Sequence, residues 1–517
     1  MMKKIYRIVN AIIFACLMMG CTKNLLDKTP LDSLSPETFY SNETQAKAGL
    51  MGVYNDLIPS QPIQWYQFDF MSDNNYCQDA WQGSNEFGAW LQNSSSGTAQ
   101  TKWAKDYSLI VRANSFLANV DRAVMADAVK TQMKAEATFL RAYSYADLIS
   151  YFGDVPLILK VQTLAEAKVS RTPKSEVLAA IITDLDNAAA NLPVSYAGTD
   201  VGRATKGAAL AFKAKILLYN EKWPEAAAAA KSVIDLQTYG LFSDYANLFS
   251  EDFENNKEVI FDIQYIKNLL PQPWPSSALS FAEWPTPSVT TDLINAYYMT
   301  NGLPISDPAS GYKDQDPYKN RDPRLAASVV LPGSLKGQTI FIPKNDDVVC
   351  GARPRKYADL NNPDRNNCSI NTILMRYADI LLMRAEALIE SGNTSQEIYD
   401  LIDQVRARVN MPKIENVEGA GLSQEQLRQI LRHERRVEFF VEGTRYADML
   451  RWKDKSLVHN VYGYDRLTLS DPSSPSTWKF NQIYKAARVF DPAKGWLWPI
   501  PQVDLQNNSN LKQNPGY

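Results

Sequence analysis

KGAALAFKAKILLYNEKWPEAAAAAKSVI (206–234) is the stretch that decides the fold. Leu210, Ala214, Leu217 and Leu218 recur at offsets of three and four, which places them on one face of a helix. Trp223-Pro224 interrupts the pattern, and proline suits the first turn of a new helix. Ala226, Ala229, Ala230, Val233 and Ile234 then make a second stripe. Two amphipathic helices joined by a short turn predict an antiparallel hairpin.

The pattern returns further along the chain. Leu374, Ala378, Leu381, Leu382, Ala385 and Ile389 form a stripe that stops at Gly392. Thr394-Ser395-Gln396-Glu397 reads as a capping box. Ile398, Leu401, Ile402, Val405 and Val409 form the return helix. Hairpins of this kind resemble tetratricopeptide repeats. The fold class expected is therefore mostly α, with tetratricopeptide-like helical hairpins forming a scaffold that carries long loop-rich insertions.

Other helical blocks fit that scaffold. Trp103, Tyr107, Ile110, Asn114 and Leu117 keep helical spacing within 101–152. In FLRAYSYADLISYFGDVPLI (139–158), Phe139, Ala142, Tyr143, Ala146 and Ile149 share a face, and Leu140, Leu148 and Phe152 widen it. Gly153 is placed to close that helix in the left-handed conformation, and Pro156 biases Val155 towards an extended shape. A further helix starts at Ser423, with Gln426 three residues on and Gly443 as its stop. Pro-, Gly- and Asn-rich segments separate the blocks at 59–100, 268–322, 332–371 and 462–517. Loops of this length in a folded protein usually serve a purpose.

Composition narrows the function. The chain has 517 residues, 45% hydrophobic and 21% charged, as expected of a globular protein with a sizeable core. Its net charge of -3 supplies no basic field for nucleic acid. At the N-terminus, Lys3, Lys4 and Arg7 precede an apolar run over 8–19 that is too short to cross a bilayer. Gly20-Cys21 follows, in the manner of a lipoprotein leader. Residues 1–20 are expected to be a signal peptide and Cys21 to become a lipidated N-terminus, so the mature chain is anchored to a membrane without spanning it. Cys77, Cys350 and Cys368 remain. Either Cys350 pairs with Cys368 in an oxidising compartment, or all three are buried thiols.

Catalytic signatures are missing from the sequence. His433 sits in LRHERRVEFFVEG (431–443), where Val437 stands in place of the second histidine of a zinc-protease motif. No phosphate-binding glycine loop and no nucleophile elbow are present, so no enzyme is expected. The charged run Arg428, Arg432, Glu434, Arg435, Arg436, Glu438, Glu442, Arg445, Asp448 and Arg451 reads as helix-stabilising pairs three and four apart. No cofactor is expected. Asp314 to Asp322 offers oxygen ligands of the kind calcium takes, although a solvated turn accounts for it better.

The loops carry the recognition chemistry. WYQFDFMSDNNYCQDAWQGSNEFGAW (65–90) sets Trp65, Trp81 and Trp90 among Asp, Asn, Gln and Gly, and PQPWPSSALSFAEWPTPS (271–288) sets Trp274 and Trp284 among prolines. An indole can take the apolar face of a sugar ring while polar neighbours meet its hydroxyls. Trp81, Trp274 and Trp284 are the leading candidates for stacking, with Trp65, Trp90 and Tyr76 behind them. Asp73, Asn74 and Asn75 are the candidates for hydroxyl contacts.

Five stretches, 139–158, 206–234, 374–393, 431–452 and the ending WLWPIPQVDLQNNSNLKQNPGY (496–517), together resemble the SusD/RagB family of outer-membrane lipoproteins from Bacteroidota. The resemblance implies four helical hairpins under a loop-rich remainder, in one compact unit with a helical region over 21–270 and a loop-rich region over 271–517. It implies a lipid-anchored protein on the outer face of the outer membrane. It also implies non-catalytic capture of a glycan for a SusC-like TonB-dependent transporter. RagB-like members take peptide, and a scaffold for partner proteins is the further alternative. A peptide site would respond to salt and to peptide sequence, whereas a sugar site would respond to the loss of one flat ring.

Overall fold

The structure, a computed structural model, describes residues 39–59, 63, 65–78, 83–272, 287–344, 348–358, 364, 367–469 and 477–517. Its helices are α1 (Glu43–Tyr54), α2 (Trp65–Phe70), α3 (Gly97–Asn119), α4 (Asp127–Phe152), α5 (Lys174–Asn191), α6 (Lys206–Tyr219) and α7 (Trp223–Asp235). After the long insertion come α8 (Thr291–Ala296), α9 (Tyr377–Glu390), α10 (Gln396–Arg408), α11 (Gln424–Glu438) and α12 (Arg445–Trp452). Short strands lie between them: β1 (Asn75–Cys77), β2 (Val259–Ile263), β3 (Pro287–Val289), β4 (Thr372–Arg376), β5 (Val461–Tyr464) and β6 (Gln482–Ala486).

The 206–234 stretch forms the expected hairpin, α6 and α7, with Pro224 in the first turn of α7. Its stripe of Ala226, Ala230 and Val233 is buried. Helices α3 to α7 pack in sequence order, each against the next, and α7 then packs against α9. The stack therefore continues across about 140 intervening residues as though they were absent. Arg384 of α9 fastens the junction by donating from Nη1 to the carbonyl oxygen of Ala227, 2.8 Å. Strands β2 and β4 pair antiparallel, Ile263 opposite Thr372 and Val259 opposite Arg376, so the two ends of the insertion meet beside the junction.

Helix α4 is buried nearly all round, beyond the single face read from its spacing. Arg141 makes a two-pronged pair with Asp184 of α5, both bonds 2.8 Å. Tyr145 Oη accepts from the backbone N–H of Ile158, 2.6 Å, which fastens the chain after the helix stop. Gly153 ends α4 at φ 74° and ψ -120°, so its positive φ is as expected while its ψ lies outside the left-handed helical region. A Cβ there would come within 3.1 Å of Leu497.

Two details of the helix ends differ from the sequence reading or sharpen it. Helix α10 begins one residue later than a box at Thr394 requires. Its N-cap, Ser395, makes no side-chain capping bond, and Asn393 instead accepts from the Ser395 N–H, 2.7 Å. At α11 the box is complete, with Ser423 and Gln426 bonding reciprocally.

A first core fills the helical stack, and a second lies under the loops. The second draws Trp65, Phe70 and Tyr245 from before residue 270 and Val289, Tyr357 and Trp478 from after it. Cys77, Cys350 and Cys368 are buried thiols, with no disulfide between Cys350 and Cys368. Burial pushes the Cys350 thiol up to about 12. Among the described residues, no helix is long and apolar enough to cross a membrane.

Candidate functional site

The loop side is organised by one small ladder. β1 and β3 pair antiparallel, with Asn75 opposite Val289, Tyr76 opposite Ser288 and Cys77 opposite Pro287. Trp81 follows Cys77 by four residues and Trp284 precedes Pro287 by three. The stems of the two tryptophan-bearing segments therefore leave the same end of the ladder. Trp81, Trp274 and Trp284 themselves lie outside the described residues, as does Cys21.

The polar residues beside the ladder hold it together. Asp73 accepts from Nε and Nη2 of Arg445, both 2.8 Å, and Arg436 Nη2 lies 3.2 Å from it. Burial favours the protonated Asp73, but Arg436 and Arg445 outweigh it and hold the carboxyl below its ordinary range. Asn74 Oδ1 accepts from Arg436 Nε, 2.7 Å, and its carbonyl accepts from the Thr290 N–H, 3.0 Å. Asn75 is fully buried, and its carbonyl accepts from Arg488 Nη2, 2.8 Å. All three, read from the sequence as hydroxyl contacts, are buried here; Asp73 and Asn74 meet arginines, and the Asn75 side-chain amide makes no hydrogen bond. Tyr76 is half-buried on β1.

Trp65 and Trp90 are corrected as well. Trp65 packs against Tyr357, ring centroids 4.2 Å apart, in the second core. Trp90 is 2% exposed, donates from Nε1 to the Gly495 carbonyl, 3.0 Å, and sits between Phe490 and Trp496. Both indoles pin loops to the core, Trp90 enclosed by rings and Trp65 at the edge of an opening that it lines with Phe68 and Gly443.

The charged run on α11 and α12 is a buried network between elements. Glu438 accepts from Arg324 Nη1, 2.9 Å, and Arg376 Nη1, 2.7 Å, and also from Arg408. Arg435 bonds Asp379, 2.7 Å, and Asp448, 3.0 Å. Pairs three apart within one helix account for only part of it, at Glu425–Arg428 and Asp448–Arg451. His433 stacks on Tyr298 at 3.9 Å and meets the Ala296 carbonyl at 2.7 Å. Burial pulls it down to about 4, so it is neutral near pH 7.

Neither possible cation site is suited to a metal. Asp73, Asp292 and His459 converge, but Arg436 Nη2 lies 3.2 Å and 2.5 Å from the two carboxylates and already supplies the positive charge. In the 314–322 stretch, Asp322 gives both carboxylate oxygens to Arg324.

One opening escaped the sequence reading. A groove of about 440 Å³ is lined by Tyr312, Trp478 and Phe480 together with Asn295, Gln315 and Asn481. These positions are scattered over nearly 190 residues, with no shared motif. The only signal was that all of them fall in the loop-rich segments 268–322 and 462–517.

A helical-hairpin stack interrupted by long loop-rich insertions defines a scaffold protein of the tetratricopeptide-like kind. The chain belongs to the SusD family, whose profile matches residues 248–517. Residues 24–218 match a second profile, described as starch-binding associating with outer membrane. SusD-like protein P2 of Formosa agariphila is 28% identical, the alignment covering 98% of this chain and 99% of the relative. A solved SusD-like protein of Bacteroides fragilis superposes with a TM-score of 0.82 at 27% identity, covering 95% of this chain and all of that one. A second from the same species, a SusD-like carbohydrate binding protein, gives 0.81 at 29%, covering 92% of this chain and all of that one.

Proposed function

We propose that this chain is a cell-surface glycan-binding lipoprotein that captures oligo- or polysaccharide without catalysis and passes it to a SusC-like TonB-dependent transporter. In this reading Cys21 carries the lipid that holds the mature chain to the outer face of the outer membrane. Trp81, Trp274 and Trp284 supply the stacking surfaces. The observation that carries the reading is the Cys77–Pro287 pair, which brings the stems of the loops bearing Trp81 and Trp284 to one ladder end. The carbohydrate-binding relative in Bacteroides fragilis supports the ligand class. Arg436 and Arg445 brace the base of the ladder through Asp73.

The test uses the chain starting after Cys21 in native gels that contain starch, laminarin, xyloglucan or mannan. Retardation by one of them is expected, weakened about tenfold by Trp284→Ala, an order of magnitude set by the loss of one stacked ring. Retardation that survives alanine at Trp81, Trp274 and Trp284 together would move the site elsewhere. Absence of retardation by every glycan, with binding of peptides instead, would reject the ligand class.

A further inference from the structure

We propose that the groove between Tyr312 and Phe480 is a second sugar-binding site, one that takes a short neutral oligosaccharide. The inference rests on the glycan reading above and adds a place on the molecule that the tryptophan loops do not form. None of the residues of the β1–β3 ladder lines this groove.

Four observations carry it. First, the volume of about 440 Å³ falls within the range of small-molecule sites, roughly 300 to 1,000 Å³. Second, the aromatic lining is rigid and partly open. Phe480 is held edge-on by Tyr318 and Tyr464, with centroids 5.4 and 5.5 Å away, yet it stays half-exposed, as does Tyr312. Trp478 closes the base over Gly333, where a Cβ would lie 3.3 Å from the indole. Third, the side-chain amides of Asn295, Gln315 and Asn481 make no hydrogen bond within the chain among the described residues, and Gln315 and Asn481 are exposed. An amide offers a donor and an acceptor together, which is what a sugar hydroxyl requires. Fourth, the charged lining consists of Asp314 and Lys479, one of each sign, so nothing selects an anion or a cation.

A partly open ring beside unpaired amides suits a pyranose, whose apolar face covers the ring while its equatorial hydroxyls reach the amides. Two such sites on one chain would hold a polysaccharide more tightly than either alone, because the second contact becomes intramolecular.

The experiment takes the hexasaccharide of whichever of starch, laminarin, xyloglucan or mannan retards the chain, and measures stoichiometry by calorimetry. Tyr312→Ala/Gln315→Ala is compared with Trp81→Ala/Trp284→Ala. The thermal unfolding midpoint of each double variant is measured alongside to confirm that it folds. We expect two molecules bound per wild-type chain and one for each double variant, with about tenfold weaker gel retardation in both. One molecule per wild-type chain, lost only in the tryptophan variant, overturns the second site and leaves the loop reading standing. One molecule lost only in the Tyr312 variant keeps the groove and removes the loop site. Binding of a peptide in the groove overturns the sugar assignment, and no retardation by any of the four glycans overturns both readings.

Discussion

Asp69 shows how one buried carboxylate can set a pH response. Its Oδ2 accepts from the Gly443 N–H, 2.6 Å, while Oδ1 makes no hydrogen bond. Burial raises it from the usual range to about 7. A carboxyl raised in the folded state binds its proton more tightly there than when unfolded. Its contribution is therefore fully favourable below about pH 4 and is lost as pH rises towards 7, by about 1.4 kcal/mol per pH unit at the steepest. Asp69→Asn keeps an acceptor for Gly443 and carries no charge. We expect it to flatten the stability profile between about pH 4 and 7 and to stabilise the chain at pH 8, measured by urea unfolding; an unchanged profile would mean that Asp69 ionises freely. Glu438 is the opposite case, an ionised group that three arginines require. Glu438→Ala should cost about 3–5 kcal/mol in the same assay, because it leaves Arg324, Arg376 and Arg408 buried without their shared partner. A loss under about 1 kcal/mol would show that the remaining carboxylates can carry all three.

At the scale of elements, close helix contact depends on small side chains. Ala230 is fully buried on α7, the helix that packs against both α6 and α9. Ala230→Leu should overfill that contact and cost about 1–3 kcal/mol, read as a lowered unfolding midpoint with the ligand site intact. A neutral effect would mean the two interfaces can part to admit a leucine. This scale was also the one most open to reading from the chain alone. The stripes at 210–218, 226–234 and 378–389 have a helical period, so the hairpins could be read off directly, but Leu374, read as the start of the third stripe, lies in β4, one strand ahead of α9. The buried partners of the α11 charges could not, because spacing reports neighbours on one helix and says nothing of Arg324, Arg376 or Arg408 on other elements. Trp65 and Trp90 failed for a related reason: a tryptophan in a polar loop has the same sequence context whether it pins the loop or faces solvent. Asp73 and Asn74 were read as sugar contacts because the groups that would meet a hydroxyl are the same groups that meet Arg436 and Arg445. The groove around Tyr312 and Phe480 has no local signature, since it exists only once distant loops are folded together.

For the whole molecule, the charge balance bears on how a ligand is held. Both proposed sugar sites rely on ring faces and neutral hydrogen bonds, and the chain carries a net charge of only -3. Glycan retardation should therefore change less than about twofold between 50 and 500 mM NaCl, since screening acts on charges and leaves stacking intact. A steep loss with salt would point to a charged ligand and against both sites. The closed base of the insertion has a consequence for inheritance. Since β2 and β4 meet beside an unbroken helical stack, exposed loops between them can lengthen or shorten at a small cost in closure entropy, while Arg324, Val289 and Tyr357 stay tied to the frame. Such a joint separates the outer loops from the frame that bears them, so that the sequence of either can drift with little disturbance to the other.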